Sequence, residues 1–275
     1  MITTLDICYV TGTSGFIGSA CSRHLSEAGM DVINVNLREP HTLFRNYPRR
    51  GVFIHAASHP RADIIDLKSA NTNVDLTKLA LFAANLVDAR RIIYISSACV
   101  YGRPPKTRYP CELDHSETPD YYGWSKFQSE QIIEHSGFDR IILRLPGVFG
   151  SGDRQKSIIG RLLNSGKCTG KITISGDGSQ IRDFLCIDRL VKAIEYAVKG
   201  RIPTGIYNLA NGDPRSIFEI ANLVNYIFRL NATIEIINKG NEYDLALDIE
   251  KIKGICTEFK QPMRIDAGLN RLYKG

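Results

Sequence analysis

The stretch Ile7-Cys8-Tyr9-Val10-Thr11-Gly12-Thr13-Ser14-Gly15-Phe16-Ile17-Gly18-Ser19-Ala20 constrains the fold of this chain more than any other. Apolar, strand-forming residues lead into three glycines spaced three apart: Gly12, Gly15 and Gly18. Beyond them Ile17, Ala20, Cys21, His24, Leu25 and Ala28 step at helical spacing, and Gly29 follows. The pattern is strand, tight turn, amphipathic helix and C-terminal glycine. A helix starting there offers unpaired N–H groups and the positive end of its dipole. Glycines let that backbone approach a pyrophosphate without a side chain in the way. The spacing is GxxGxxG, which a close-packed turn also satisfies; the flanking strand and helix favour the phosphate reading.

Strand-like and helix-like segments continue to alternate. Val32 to Val35, Val52 to His55, Ile92 to Ser96 and Arg140 to Leu145 read as strands. Asn73 to Asp88 and Tyr122 to His135 read as helices. This alternation predicts a doubly wound α/β fold, a parallel sheet with helices on both faces. Only Leu37 to Gly51 separates the second strand from the next, so the third strand of a full fold is expected to be short or missing. After Gly150 the pattern loosens. Arg161 to Asn164 looks helical, Lys171 to Ser175 strand-like and Asp188 to Lys199 helical, and Ser216 with Glu219 forms a capping box. We expect a dinucleotide-binding domain over 1–150, rejoined by segments near 182–212, and a smaller substrate-binding lobe over 151–275.

Composition narrows the function. The chain has 275 residues, 43% hydrophobic and 23% charged, as in an ordinary globular protein. No apolar run is long enough for a membrane span, and no basic segment precedes an apolar one at the N-terminus. Seven scattered cysteines make no metal spacing and suit a reducing, cytoplasmic location. The formal net charge of +6 comes without a basic run interleaved with aromatics, so no nucleic-acid partner is expected.

Seven segments together carry a resemblance: TGTSGFIG (11–18), HAAS (55–58), NVDLT (73–77), SSACVYG (96–102), YYGWSK (121–126), LRLPGVFG (143–150) and GDGSQIRDFLCID (176–188). They resemble the extended short-chain dehydrogenase/reductase family, in its branch of nucleotide-sugar epimerases, dehydratases and reductases. The resemblance implies a Rossmann-like domain and a nucleotide-diphosphate sugar as partner. It also implies a homodimer through the long helices. Ser97, Tyr122 and Lys126 become the implied catalytic set. Gly12, Ser14, Gly15, Phe16, Ile17, Gly18, Asn36, Arg38, Ala56, Ala57, Tyr122 and Lys126 become the cofactor contacts, and Ser97, Cys99, Tyr122 and Arg182 the substrate contacts. No metal is implied.

The residues themselves agree with that chemistry. Tyr122 and Lys126 lie four apart and share a helix face. A lysine ammonium beside the phenol, with a positive nicotinamide ring, is expected to lower the phenol's pKa from about 10. Ser97 follows a buried-looking strand, at the edge where open α/β sheets bind ligands. Dehydratases of the resembled family carry Asp-Glu after the serine or threonine; Ala98-Cys99 stands here, so dehydration is not expected. Cys99 matches a cysteine that epimerises beside a keto group in GDP-fucose synthase-like members, but Ser157 stands where they have a histidine. Gly147 replaces a diphosphate-contacting Asn, and Asn238-Lys239 stands near a second arginine position.

The second strand ends Val35-Asn36-Leu37-Arg38, without the acid that NAD-binding members place there. Arg38 can meet a 2′-phosphate, helped by Arg45, Arg49 and Arg50, so NADP is expected, with NAD as the alternative. The functional expectation is NADP-dependent reduction of a 4-keto nucleotide sugar. The alternatives are an NAD-dependent 4-epimerase and a non-catalytic dinucleotide sensor. His55 and His59 lie near the expected crevice, His55 in a structural role.

Overall fold

The computed structural model describes residues 7–39, 50–104, 108–114, 120–153, 157–237 and 243–274. In chain order the elements are β1 (Ile7–Thr11), α1 (Phe16–Glu27), β2 (Asp31–Val35), β3 (Val52–His55), α2 (Leu67–Leu86), β4 (Arg91–Ser97), α3 (Tyr121–Glu134), β5 (Arg140–Leu145), β6 (Gly147–Phe149) and α4 (Ile158–Thr169). They continue with β7 (Lys171–Ser175), β8 (Ile181–Arg182), β9 (Phe184–Cys186), α5 (Ile187–Val198), β10 (Gly205–Asn208), β11 (Arg215–Ser216), α6 (Ile217–Ile227), β12 (Thr233–Ile237), α7 (Glu250–Lys253) and α8 (Ile265–Lys274).

The chain divides into two compact units. The first holds residues 1–102, 115–144 and 191–207; the second holds 103–114, 145–190 and 208–275. A six-stranded sheet runs in the order β10-β5-β4-β3-β1-β2. The β1–β2, β1–β3 and β3–β4 pairs are parallel, with Tyr9 opposite Ile33 and Phe53. Residues 40–49, where a short or missing third strand is expected, lie outside the described residues. Strand order reverses between β1 and β3. The carboxyl ends Thr11 and His55 therefore flank the switch point, where such sheets hold ligands, and Ser97 ends the next strand, β4.

Burial explains the strands. β3 and the middle of β4 are covered on both faces, so they read as unbroken apolar runs. Tyr9, Phe53, Ile92, Tyr94 and Ile142 pack with Ala80, Ala83 and Ala84 of α2 and Ile133 of α3. Small alanines on α2 let that helix lie close to the sheet. α2 begins six residues before the apolar pattern predicts. Asp66 and Ser69 form a reciprocal capping box that nucleates the earlier turn. In the second unit Ile159, Leu162, Ile172, Ile174, Ile217, Ile220 and Val224 form a separate core between α4, α6 and β7. The expected Ser216–Glu219 capping box is present with both of its bonds.

Candidate active site

The glycine turn is shaped by contacts that only hydrogen side chains allow. Gly12 has φ +71°, and a Cβ there would meet Ala57 N at 2.7 Å. A Cβ on Gly18 would stand 2.2 Å from Gly12 O. The first glycine thus seats the turn on the Ala56-Ala57 segment, and the third packs α1 against it. Gly15 caps α1 with no side-chain hydrogen bond. The amino end of such a helix is suited to hold an anion such as a pyrophosphate. Ser14 and Gly15 are exposed beside it, and Phe16 and Ile17 are half-buried.

A buried polar relay fixes the neighbouring strand ends. Thr11 Oγ1 accepts from Ala56 N and Ala57 N, both at 3.1 Å, and lies 3.0 Å from His55 Nδ1. His55 Nε2 lies 3.2 Å from Thr77 Oγ1, which also bonds Asn73 O and Ser129 Oγ. Burial, with the Lys126 charge second, lowers the His55 pKa to about 3, so the imidazole is neutral. It stacks on Tyr94 at 5.4 Å. His55 is structural, as its sequence context suggests, whereas His59 is exposed and gives its N–H to Asn73 Oδ1 at 2.8 Å.

Ser97, Tyr122 and Lys126 converge beside this relay. Ser97 ends β4, and its Oγ accepts from Cys99 N at 3.2 Å. Asp120 caps α3 by accepting from Gly123 N at 2.7 Å and pairs with Arg61, which starts the helix at Tyr121. Lys126 is 3% exposed, and this near-complete burial forces its ammonium onto defined partners. Its Nζ donates to Ile95 O at 3.0 Å and lies 5.1 Å from the Tyr94 ring centroid and 5.8 Å from that of Tyr122. Burial lowers the Lys126 pKa to about 8, against the opposing charge of Glu130. In the chain alone, burial governs the Tyr122 phenol. Burial and then the Cys99 thiol push its pKa up, and its hydrogen bond with Ser97 offsets only part of this. The chain alone therefore presents a protonated phenol, a proton donor rather than a preformed phenolate.

Asn36 and Arg38 are both exposed beyond β2, and Asn36 Oδ1 accepts from Arg38 N at 3.1 Å. Arg50 gives its main-chain N–H to Val87 O. Arg45, Arg49, Asn238 and Lys239 lie outside the described residues. Cys99 is half-buried in the 3-10 turn after Ser97. Ser157 caps α4 through Gly160 N at 2.9 Å and bonds Asp153. A Cβ on Gly147 would lie 3.1 Å from the Phe184 ring, so an Asn does not fit there without repacking.

In the second unit, Arg182 donates to Ile181 O and Tyr243 O, and its guanidinium lies 5.0 Å from the Tyr243 ring centroid. The Asp183 carboxylate instead accepts from Phe184 N and Gly212 N. Sequence reasoning passed over Tyr94, Thr77, Ser129, Glu130 and Arg144. One signal was available: Arg144 is a lone charge inside the apolar strand Ile-Ile-Leu-Arg-Leu.

Residues 8–210 match the NAD dependent epimerase/dehydratase family. The chain belongs to that family. Its members are enzymes of the extended short-chain dehydrogenase/reductase type, which sets aside a purely non-catalytic role. A Methanocaldococcus jannaschii protein provisionally named UDP-glucose 4-epimerase is 27% identical, covering 96% of each chain. In structure, this family member is similar to the Thermotoga maritima UDP-glucose 4-epimerase solved with UDP-glucose. The TM-score is 0.83 at 20% identity, over 98% of this chain and 97% of that one. A C. jejuni GDP-6-OMe-4-keto-L-xylo-heptose reductase also gives 0.83, at 16% identity over 99% and 98%. At these identities the structural likenesses bear on the fold. Similar structures were solved with NAD or with NADPH. No helix among the described residues is long and apolar enough to cross a membrane.

Proposed function

We propose that this chain reduces the 4-keto group of a nucleotide-diphosphate sugar with NADPH. The end of β2 carries this reading. Just beyond it stand neutral Asn36 and cationic Arg38, both exposed, in place of a carboxylate. A carboxylate would bond both ribose hydroxyls of NAD and repel a 2′-phosphate, whereas Arg38 attracts it. A cofactor drawn from solution as NADPH and released as NADP suits a net reduction.

The nicotinamide, when bound, supplies the hydride. Tyr122 gives the phenolic proton to the carbonyl oxygen as it gains charge, and Ser97 holds that oxygen beside Tyr122. Lys126, mostly protonated at neutral pH, stabilises the phenolate left behind and fixes the nicotinamide ribose. The positive end of α1 takes the pyrophosphate. Arg182 on the second unit is our assignment for the substrate's phosphates. Ala98-Cys99 offers no acid/base pair for dehydration, and Ser157 stands where the cysteine-dependent epimerising members carry a histidine. The apolar faces of α2 and α3, where Leu67, Phe82 and Tyr121 are about half exposed, support a homodimer through these helices.

A second reading, NAD-dependent 4-epimerisation, is favoured by the name of the M. jannaschii protein. One experiment separates the two. NADPH and NADH are titrated into the wild type and Arg38→Ala. A charge-assisted contact worth about 1.5–3 kcal/mol gives roughly a tenfold to hundredfold preference for NADPH, lost in the variant. Equal affinities in the wild type, or a preference the mutation leaves intact, would remove the case for a reductase.

A further inference from the structure

We propose that the buried Glu130–Arg144 pair is a positioning clamp, holding the turn that carries Ser97 against the helix that carries Tyr122 and Lys126. The role of Ser97 in it rests on the hydride-transfer reading above. Glu130 lies one turn beyond Lys126 on α3, and its side chain is fully buried. Its carboxylate accepts from Arg144 Nε at 3.1 and 3.2 Å, from Arg144 Nη2 at 2.7 Å, and from the Ser96 hydroxyl. Arg144, on β5, sends Nη1 to the Tyr101 hydroxyl at 2.9 Å and lays its guanidinium 4.8 Å from that ring's centroid. Ser96 is the residue before Ser97, and Tyr101 closes the 3-10 turn that follows it. One ion pair therefore grips the segment 96–101 at both ends, and its acid belongs to α3.

Stability alone does not call for a charged pair here. Apolar side chains of equal volume often serve a buried site as well or better. What the pair adds is direction. Each carboxylate oxygen and each guanidinium nitrogen named above has a defined partner, and a satisfied buried network allows one arrangement. The segment it fixes has one task that needs such accuracy, which is to keep the Ser97 hydroxyl on Tyr122. Misplacing a reacting group by about 1 Å can cost about a hundredfold in rate.

The test loosens one end of the segment at a time and leaves the ion pair in place. Ser96→Ala removes the bond to Glu130, and Tyr101→Phe removes the bond to Arg144. Site-resolved alkylation of the full chain with iodoacetamide reads the turn at Cys99, and reads general opening of the same unit at buried Cys8 and Cys21. The clamp predicts labelling of Cys99 accelerated about tenfold in both variants, with Cys8 and Cys21 unchanged. Unchanged Cys99 labelling, or equal acceleration at all three cysteines, would overturn it.

A kinetic arm asks whether the effect passes through Ser97. On UDP-, GDP- and dTDP-linked 4-keto-6-deoxyhexoses, both variants should lower kcat at least about fivefold with KM within about twofold. In a Ser97→Ala background neither should lower kcat further, and a further fall there would overturn the proposal. If Ser97→Ala leaves kcat intact while Cys99 labelling still responds, the clamp stands and the role of Ser97 in hydride transfer fails.

Discussion

Gly18→Ala tests the steric logic of the glycine turn, because two effects of known sign oppose each other there. Gly18 sits inside α1, and its backbone conformation is open to any residue. Helix propensity alone would stabilise the variant by about 0.5–1 kcal/mol. The added methyl, however, would stand 2.2 Å from Gly12 O, 2.5 Å from Gly12 C and 3.0 Å from Thr13 N. All three are backbone atoms, so no side chain can swing aside. Restoring an ordinary contact means separating α1 from the turn by about 1 Å. Overpacking of this kind costs about 1–3 kcal/mol, which outweighs the propensity gain. For a chain of this size the melting temperature should fall by roughly 2–8 °C. In the proposed site the same shift moves the amino end of α1 away from the cofactor pyrophosphate, so the Kd for NADPH, read by nicotinamide fluorescence, should rise at least about tenfold. Gly29→Ala is the control. With φ +80° and nothing within 4 Å of its Cβ, it strains one residue and leaves cofactor affinity unchanged. A Gly18→Ala protein that melts higher and binds NADPH normally would refute the reasoning.

Four further outcomes follow from the same geometry. Tyr122→Phe keeps the ring under Lys126 and removes the proton donor; kcat should fall about 10²–10⁴-fold with the cofactor Kd within a few-fold, measured by NADPH consumption and fluorescence titration. His55 should make the fold acid-sensitive. Its folded pKa of about 3 lies below the unfolded 6.5, so stability is full above pH 6.5 and is lost toward pH 3 at up to about 1.4 kcal/mol per pH unit. Denaturant melts of the wild type and His55→Gln between pH 7 and 4 should show that slope only in the wild type. Cys99→Ser should retain most activity, and mass spectrometry should find no loss of water from a nucleotide hexose; a fall as deep as that of Tyr122→Phe would bring back epimerisation beside the keto group.

The glycine turn and the Tyr122–Lys126 helix face were legible in the sequence, because that region obeys local rules. The strand–glycine–helix turn needs only the neighbours of Gly12 and Gly18, and Tyr122 and Lys126 share a helix face by spacing alone. The short interval between β2 and β3 followed from a count of residues. The relay behind the site was less legible. Thr11, His55, Thr77 and Ser129 come from β1, β3, α2 and α3, and each alone reads as an ordinary polar residue near an element end. The start of α2 was missed because the capping box at Asp66 and Ser69 precedes the apolar pattern. The burial of the Tyr122 phenol was hidden for a similar reason. Spacing reveals the lysine nearby but not the burial that outweighs it, nor that the ammonium is bonded to Ile95 O. In the second unit β8, β9 and β11 are two or three residues long, too short to leave a periodic signal.

The central claim is that a hydride passes from NADPH to C4 of a nucleotide-linked sugar, with Tyr122 supplying the proton. The most direct test uses NADPH deuterated at the transferred position, with the panel of UDP-, GDP- and dTDP-linked 4-keto-6-deoxyhexoses, and NMR of the sugar product. The account predicts one deuterium at C4 per NADPH consumed, in a single configuration, from the wild type and none from Tyr122→Phe. A product formed without net NADPH consumption, or with deuterium absent from C4, would contradict it.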